Sequence, residues 1–97
     1  MLKPKQRAFL RKMAHDLDPV FQVGKAGVTP ELVDAVSDAL EARELIKGCV
    51  QQGAPLDAKS ALTILCEKTG AEPIQFIGRR FVMFRPSREN PKIMIEG

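Results

Sequence analysis

Two glycines with a lysine between them form the segment of this chain that is best suited to bind an anion. The segment runs Gly24, Lys25, Ala26, Gly27, and a short apolar run precedes it. Glycine lets the backbone turn tightly and approach a ligand closely, because it has no Cβ. The helix that we predict from Pro30 would add free N–H groups, which favour an anion at a helix start. We therefore interpret the segment as a phosphate-binding turn in which Lys25 supplies a full positive charge.

The glycine spacing does not match the two common nucleotide-binding loops. A Walker loop requires G-x-x-x-x-G-K-[ST] and a dinucleotide loop requires G-x-G-x-x-G, whereas this chain has G-x-x-G. An ordinary turn between a strand and a helix is the alternative interpretation of the segment.

Residues that could carry out catalysis are few. His15 is the only histidine, which excludes a His-rich metal site, and Ser37, Ser60 and Ser87 lie in no nucleophile motif. A catalytic His15 would also need partners, so we interpret it as a capping or phosphate-contacting residue. We predict no enzymatic activity, no metal and no cofactor. A small phosphate-ester enzyme is the alternative, which assays of nucleotide or RNA hydrolysis would detect.

Positive charge is concentrated at the two ends of the chain. Residues 1–25 carry six basic and two acidic side chains, residues 26–78 carry four and eight, and residues 79–97 carry five and two. The three segments therefore have net charges of +4, −4 and +3. Such an asymmetry suggests a polyanionic partner if the two ends meet in space. Solvated charge without a partner is the alternative.

Four arginines lie near the C-terminal end of the chain. Arg79 and Arg80 fall at a predicted hairpin turn, and Arg85 and Arg88 follow the last predicted strand. The planar guanidinium group donates two parallel hydrogen bonds to a phosphate. The chain has no Trp and no Tyr, and we expect most of its five phenylalanines in the core. This composition favours recognition of structured RNA through its backbone and shape over base stacking.

The hydrophobic pattern predicts three helices that alternate with strands. We expect helices at about 4–17, 30–43 and 58–69, and strands at 20–23, 45–51, 74–77 and 81–84. The order α-β-α-β-α-β-β is typical of an open α/β sheet with helices packed on it.

Two of these helices have a charged side. The first carries a basic stripe of Lys3, Arg7 and Arg11. The second carries an acidic side, which we interpret as solvated surface, with docking of a basic protein as the alternative. The acidic side comprises Glu31, Asp34, Asp38 and Glu41.

Length and composition indicate a single domain for residues 1–97, with a core at about 4–88 and a tail at 89–97. In the tail, residues 92–95 could pair with a sheet edge. The chain has no signal-peptide pattern and no stretch with the ~18 apolar residues of a membrane span. We therefore expect a monomer in the cytoplasm with no membrane partner, and we expect Cys49 and Cys66 to be buried free thiols.

Five segments, taken in order, resemble the bacterial YhbY proteins, the stand-alone form of the CRM (chloroplast RNA splicing and ribosome maturation) domain. They are residues 14–20, 23–29, 44–47, 69–71 and 77–86, which read AHDLDPV, VGKAGVT, ELIK, TGA and IGRRFVMFRP. Their order and spacing are specific, and the resemblance covers about residues 4–88. The chain departs from the family at Phe84, where the family often has a tyrosine.

The resemblance implies a compact α/β domain with a four-stranded mixed sheet, similar to the C-terminal domain of translation initiation factor three. It also implies RNA binding through the G-x-x-G loop and association with precursors of the large ribosomal subunit. The loop follows a strand here, so the helix-to-helix geometry of KH domains is not assumed. The RNA-binding residues that this implies are Gly24, Lys25, Ala26 and Gly27, with Lys3, Lys5, Arg7, Arg11, Arg79, Arg80 and Arg85 around them.

The resulting hypothesis is an RNA-binding protein that acts in assembly of the large ribosomal subunit. Its partner would be ribosomal RNA, with ribosomal proteins as further contacts. The alternative is an adaptor that docks a basic protein on the acidic side of the second helix. The hypothesis requires the N-terminal helix and the C-terminal hairpin to converge around the glycine turn.

Overall fold

Three helices and four strands alternate along the chain in the computed structural model, which describes residues 2–93. The predicted order α-β-α-β-α-β-β is confirmed. The elements are α1 Pro4–Ala14, β1 Phe21–Val23, α2 Pro30–Arg43, β2 Leu45–Val50, α3 Ala58–Thr69, β3 Glu72–Ile77 and β4 Arg80–Phe84.

Local signals in the sequence fix where α2 and α3 begin and where α3 ends. The Thr29 hydroxyl accepts the N–H of Leu32 at 3.1 Å, and the Asp57 carboxylate accepts the N–H of Ser60 at 2.8 Å. These side chains satisfy donors that a helix start leaves unpaired. Gly70 ends α3 in the left-handed conformation, with φ at 76°, as glycine commonly does.

The first helix ends at Ala14, before the predicted end at residue 17. Beyond it, the His15 N–H donates to the Lys12 carbonyl at 3.3 Å and the Leu17 N–H donates to the Ala14 carbonyl at 3.0 Å. These shorter-range bonds replace the α-helical pattern. Leu17 is 37% exposed, so core packing does not stabilise another helical turn.

The four strands form one mixed sheet in the order β1-β2-β4-β3. β1 and β2 are parallel, with α2 as the crossover between them, and β4 is antiparallel to both β2 and β3. β3 begins at Glu72, before the predicted start at residue 74, and it includes Pro73. Its pairing with β4 is irregular between Pro73 and Gln75. Proline is tolerated there since β3 is an edge strand.

The sheet has a core on each face. α2 and α3 cover one face, where Leu40 and Leu65 pack with Ile46 and Phe81 in a cluster that also includes Met83. α1 covers the other face, where its residues Leu10 and Ala14 pack on strand residues Leu45, Ile74, Val82 and Phe84. Both cysteines are free thiols, and Cys66 is buried as predicted while Cys49 is half-buried.

Three of the five phenylalanines belong to the core, which agrees with the prediction for most of them, and two do not. Phe81 and Phe84 are buried and Phe21 is half-buried, but Phe9 is 45% exposed and Phe76 is 48% exposed. Phe9 lies beside the inward-facing Leu10 on α1, and Phe76 lies on an edge strand. The sequence argument against base stacking assumed buried rings, so it does not extend to Phe9 and Phe76.

The C-terminal tail is held by Glu44, the residue after α2, and does not add a strand within the described residues. The N–H groups of Lys92 and Ile93 donate to the buried Glu44 carboxylate at 2.8 and 2.7 Å. The rest of the predicted edge segment, residues 94 and 95, lies outside the described residues. No helix among residues 2–93 has the length and apolarity needed to cross a membrane.

Candidate nucleic-acid interface

The G-x-x-G segment forms a tight turn with Lys25 and Ala26 exposed at its corners. The Gly27 N–H donates to the Gly24 carbonyl at 3.0 Å and closes the turn. Gly27 has a φ of 74°, and a Cβ there would lie 3.3 Å from Pro55 Cγ, so the turn needs glycine at this position. At Gly24 a Cβ would meet the flexible Gln51 side chain, with its Oε1 at 3.1 Å. The two glycines therefore differ in how strictly the fold requires them.

The loop after β2 packs against the glycine turn. The Gln51 N–H donates to the Val23 carbonyl at 2.8 Å, which joins this loop to the end of β1. The Lys25 side chain passes over Gly53, where a Cβ would lie 3.9 Å from Lys25 Cε. Within residues 2–93, Lys25 forms no ion pair. Its ammonium group is therefore available to an external anion.

The start of α2 contributes less to anion binding than the sequence suggests. Pro30 has no N–H, and the N–H of Leu32 is already taken by the Thr29 hydroxyl. The remaining first-turn N–H is that of Glu31, whose own carboxylate opposes an anion. In the turn itself, the N–H groups of Lys25 and Ala26 donate to no acceptor within the described chain. The phosphate-binding donors are therefore those of the turn rather than those of the helix.

The β3–β4 hairpin reaches the same end of the sheet as the glycine turn. Val50 pairs with Val23 at the end of β1, and its N–H donates to the Arg79 carbonyl at 2.7 Å. Two strand spacings therefore separate the start of the turn from Arg79, roughly 10 Å. Arg79 and Arg80 are exposed and form no ion pair within residues 2–93. The hairpin thus converges on the glycine turn, as the hypothesis requires.

Most of the basic stripe of α1 lies at the other end of the sheet. Arg7 pairs with Glu72 at 3.5 Å and also donates to the Pro73 carbonyl. A strand rise of ~3.3 Å per residue places this start of β3 roughly 17 Å from its end near the hairpin turn. Lys3 and Lys5 lie with Arg7 at the N-terminal end of α1. The predicted convergence is therefore wrong for these three residues.

The C-terminal half of α1 does approach the hairpin. His15 follows the last residue of α1 and lines a groove together with Arg80. Arg11 lies about one helical turn before His15 and is exposed. Of the predicted α1 cations, Arg11 is therefore the one best placed to extend the surface around the glycine turn.

Arg85 is not at the surface, in contrast to the sequence interpretation. It is 7% exposed and donates to the Thr69 carbonyl at 2.8 Å and the Ser37 carbonyl at 3.1 Å. Its guanidinium also lies 3.7 Å from the Glu41 carboxylate. Arg85 thus occupies the unpaired carbonyl that the end of α3 offers, and it ties together α2, α3 and β4. We leave it out of the candidate interface.

Glu41 is also used inside the fold, although the sequence places it on the acidic side of α2. It accepts the Ser87 hydroxyl and the N–H groups of Arg88 and Glu89, the latter two at 3.1 and 3.4 Å. The Ser87 hydroxyl is the main reason why the pKa of Glu41 is lowered. The exposed acidic side is therefore reduced to Glu31, Asp34 and Asp38.

Sequence reasoning overlooked one cation, Lys47. It lies in the middle of β2, within the apolar run Leu45–Val50, and lines the same groove as His15 and Arg80. A lysine inside a run that otherwise forms a buried strand is the signal that could have identified it. Within residues 2–93, no three His, Cys, Asp or Glu side chains are grouped as a metal site would require. The predictions of no cofactor and no enzymatic activity stay predictions.

Comparison with known proteins identifies the family. Residues 2–85 match the family model described as the CRS1 / YhbY (CRM) domain, and the chain belongs to this family. It is 42% identical over 93 residues to the Bacillus subtilis protein named "Probable RNA-binding protein YqeI", covering 96% of this chain and 97% of that one. It is 37% identical over 89 residues to a Haemophilus influenzae protein named "RNA-binding protein", covering 91% of this chain and 89% of that one.

A solved structure shares the fold. It is the solution structure of a Staphylococcus aureus protein described as "a putative RNA binding protein". The TM-score is 0.81 at 42% sequence identity, and the match covers 99% of this chain and 100% of that one. The α/β fold with a four-stranded mixed sheet is therefore shown both by the described structure and by a relative.

Proposed function

We propose that this protein binds RNA through the glycine-turn surface, which we define as the turn Gly24–Gly27 together with Arg79 and Arg80. The observation that carries the proposal is the hydrogen bond between Val50 and Arg79, which brings the hairpin to the glycine turn. Lys25, Arg79 and Arg80 have no carboxylate partner within residues 2–93. Relatives with 42% and 37% identity that are named RNA-binding proteins support the same class of ligand.

The turn binds one backbone phosphate. The N–H groups of Lys25 and Ala26 donate to its oxygens, and the Lys25 ammonium neutralises its charge. The fold prepares these donors, because Gly27 holds the turn and the Lys25 side chain lies against the next loop at Gly53. Binding of a phosphate therefore requires little further ordering of the backbone of the turn.

The two hairpin arginines bind neighbouring phosphates with their guanidinium groups. Arg11 extends the same surface along α1. Contacts of this type position RNA without reading its sequence directly. The surface therefore recognises the shape and backbone of a structured RNA, for which we propose ribosomal RNA in precursors of the large subunit.

The direct test is a fluorescence anisotropy titration with a structured fragment of large-subunit ribosomal RNA. The double variant Lys25→Ala/Arg79→Ala should bind at least tenfold more weakly than the wild type, which corresponds to about 1.4 kcal/mol. Lys5→Ala is the matched control, because Lys5 is an exposed lysine at the N-terminal end of α1, at the opposite end of the sheet from the glycine turn. If both variants weaken RNA binding equally, or if neither weakens it, the glycine-turn surface is not part of the mechanism.

Association with ribosome assembly requires a separate test. The tagged wild-type protein should sediment with precursors of the large subunit, and nuclease treatment of the extract should release it. Association that survives nuclease and is lost in the variant Glu31→Lys/Asp34→Lys/Asp38→Lys would favour the adaptor alternative. That result would contradict RNA as the primary partner.

A further inference from the structure

A groove lies on the α1 face of the sheet, beside the glycine-turn surface. It has a volume of about 250 Å³ and lies between His15 at the end of α1 and the strands β2, β4 and β3. The register shows how its floor is built, since Val82 of β4 lies between Lys47 of β2 and Gln75 of β3. Arg80 and Ile77 form the next pair toward the hairpin turn. Two neighbouring cross-sections of the sheet thus place two cations, an amide and two aliphatic side chains in one groove.

Lys47 is the residue that fold stability does not explain. It is half-buried on a central strand, yet it has no carboxylate partner within residues 2–93. A half-buried lysine covers apolar surface with its stem and keeps its ammonium group at the surface. This ammonium group is therefore free to pair with an anion that enters the groove. Arg80, on the neighbouring strand, can donate to the same anion.

The apolar part of the groove is also unexplained by folding. Ile77 is 70% exposed, which is the highest exposure among the large hydrophobic residues of the described chain. It lies across from Arg80 in the β3–β4 ladder. The Gln75 amide can both donate and accept hydrogen bonds, so it can pair with the polar edge of a ring. Together, the two cations suit a phosphate, Ile77 suits the flat face of a ring and Gln75 suits the edge of that ring.

The size and shape of the groove select among nucleic-acid ligands. Its volume is below the roughly 300–1,000 Å³ of pockets for drug-sized ligands, so it suits one unit of a polymer. A duplex presents a broad convex surface whose bases are stacked inside, whereas an unpaired nucleotide can be splayed out into a recess. The groove is therefore suited to a single unpaired nucleotide.

We propose that the groove between the end of α1 and the hairpin binds one unpaired nucleotide of an RNA whose helical part lies on the glycine-turn surface. Lys47 and Arg80 hold its phosphate, Ile77 packs against the base and Gln75 hydrogen-bonds to the polar edge of the base or to the ribose. This inference rests on the proposed function. It adds that the ligand is a helix with a bulge or a loop, and not a continuous duplex.

The test compares two RNA hairpins that differ only in a single bulged uridine. Anisotropy titrations should give a dissociation constant about tenfold lower for the bulged hairpin with the wild-type protein, which corresponds to about 1.4 kcal/mol. Lys47→Gln and Ile77→Ser should each reduce this ratio to near one. Lys47 is half-buried and Ile77 is exposed, so we expect both variants to fold, and thermal melts check this.

Two further variants separate this inference from the proposed function. Lys25→Ala should weaken binding of both hairpins equally and keep their ratio, because it acts on the backbone contact alone. Lys5→Gln, at the far end of α1, should change neither affinity. Equal affinities of the wild type for both hairpins, or a ratio that survives Lys47→Gln and Ile77→Ser, would overturn the groove proposal and leave the proposed function standing. No binding of either hairpin would overturn both.

Discussion

The ring of Phe21 lies directly over Gly48 on the neighbouring strand. A Cβ on Gly48 would contact the ring Cζ and would lie 2.8 Å from both Cε atoms. The ring is held from the other side by Phe81, whose centroid is 5.6 Å away in an edge-to-face arrangement. β1 contains only Phe21–Val23 and leads directly into the glycine turn. The Phe21–Gly48 contact therefore fixes the strand that positions the phosphate-binding donors.

We expect Gly48→Ala to destabilise the protein by about 1–3 kcal/mol, the usual cost of overpacking. Urea unfolding monitored by circular dichroism measures this cost. Phe21→Leu in the same chain should recover part of the loss, because the smaller side chain leaves room for the new Cβ. Gly24→Ala is the control, since its Cβ would meet only the flexible end of Gln51. A Gly48→Ala protein as stable as the wild type would contradict the close packing.

The two glycines of the turn should respond differently to alanine. Gly27→Ala places a Cβ on a residue with a φ of 74° and close to Pro55, which costs roughly 1–2 kcal/mol in the left-handed region. The turn would then relax and misalign the N–H groups of Lys25 and Ala26. We expect Gly27→Ala to weaken RNA binding severalfold more than Gly24→Ala, as measured by anisotropy on the same RNA. The opposite order would show that close approach of RNA at Gly24 is the dominant requirement.

Arg11 and Arg7 lie on the same helix but should differ in their effect on RNA binding. Arg7 is engaged by Glu72 and Pro73, whereas Arg11 is exposed and without an ion pair within residues 2–93. Lys25→Ala/Arg11→Ala should therefore bind RNA more weakly than Lys25→Ala/Arg7→Ala. Titrations at several salt concentrations add a second measure, because the slope of log K against log salt is negative and each lost phosphate contact reduces its magnitude by about 0.7–0.9. A salt slope near zero for the wild type would contradict recognition through phosphates.

Local chemistry determines which parts of the fold can be predicted from the sequence. The caps at Thr29 and Asp57 and the stop at Gly70 act within three or four residues, and the helices α2 and α3 begin and end where predicted. The strand order and the start of β3 depend on pairing with distant strands. The pattern at Pro73 argues against a strand, and only its edge position permits one.

The same distinction applies to the candidate site. The turn Gly24–Gly27 and the hairpin arginines could be singled out from residue types alone. The burial of Arg85 could not, because its acceptors are Ser37 on α2 and Thr69 at the end of α3. Lys47 was missed for the same reason, since its groove is built from three strands and one helix end.

Acid should weaken the attachment of the C-terminal tail to Glu44 and lower the stability of the fold. Glu44 is fully buried and accepts the N–H groups of Ser87, Lys92 and Ile93 at 2.7, 2.8 and 2.7 Å. Burial raises the pKa of this carboxyl, but the three N–H donors and the nearby Lys92 charge outweigh burial and lower the pKa overall. The carboxylate form is therefore the one that binds the tail.

A lowered pKa in the folded state gives stability that is present above the pKa of the unfolded glutamate, about 4.3. This stability is lost as the pH falls through the lower folded-state pKa. Urea unfolding of the wild type should therefore show a lower midpoint near pH 3 than near pH 7. Glu44→Gln should be less stable near neutral pH and should lose less on acidification, because its amide cannot ionise and cannot accept the same bonds as strongly. Asp38→Asn is the control, since Asp38 is exposed and bonds to no N–H in the described chain. An acid loss in Glu44→Gln as large as that of the wild type would show that other carboxylates govern the acid transition.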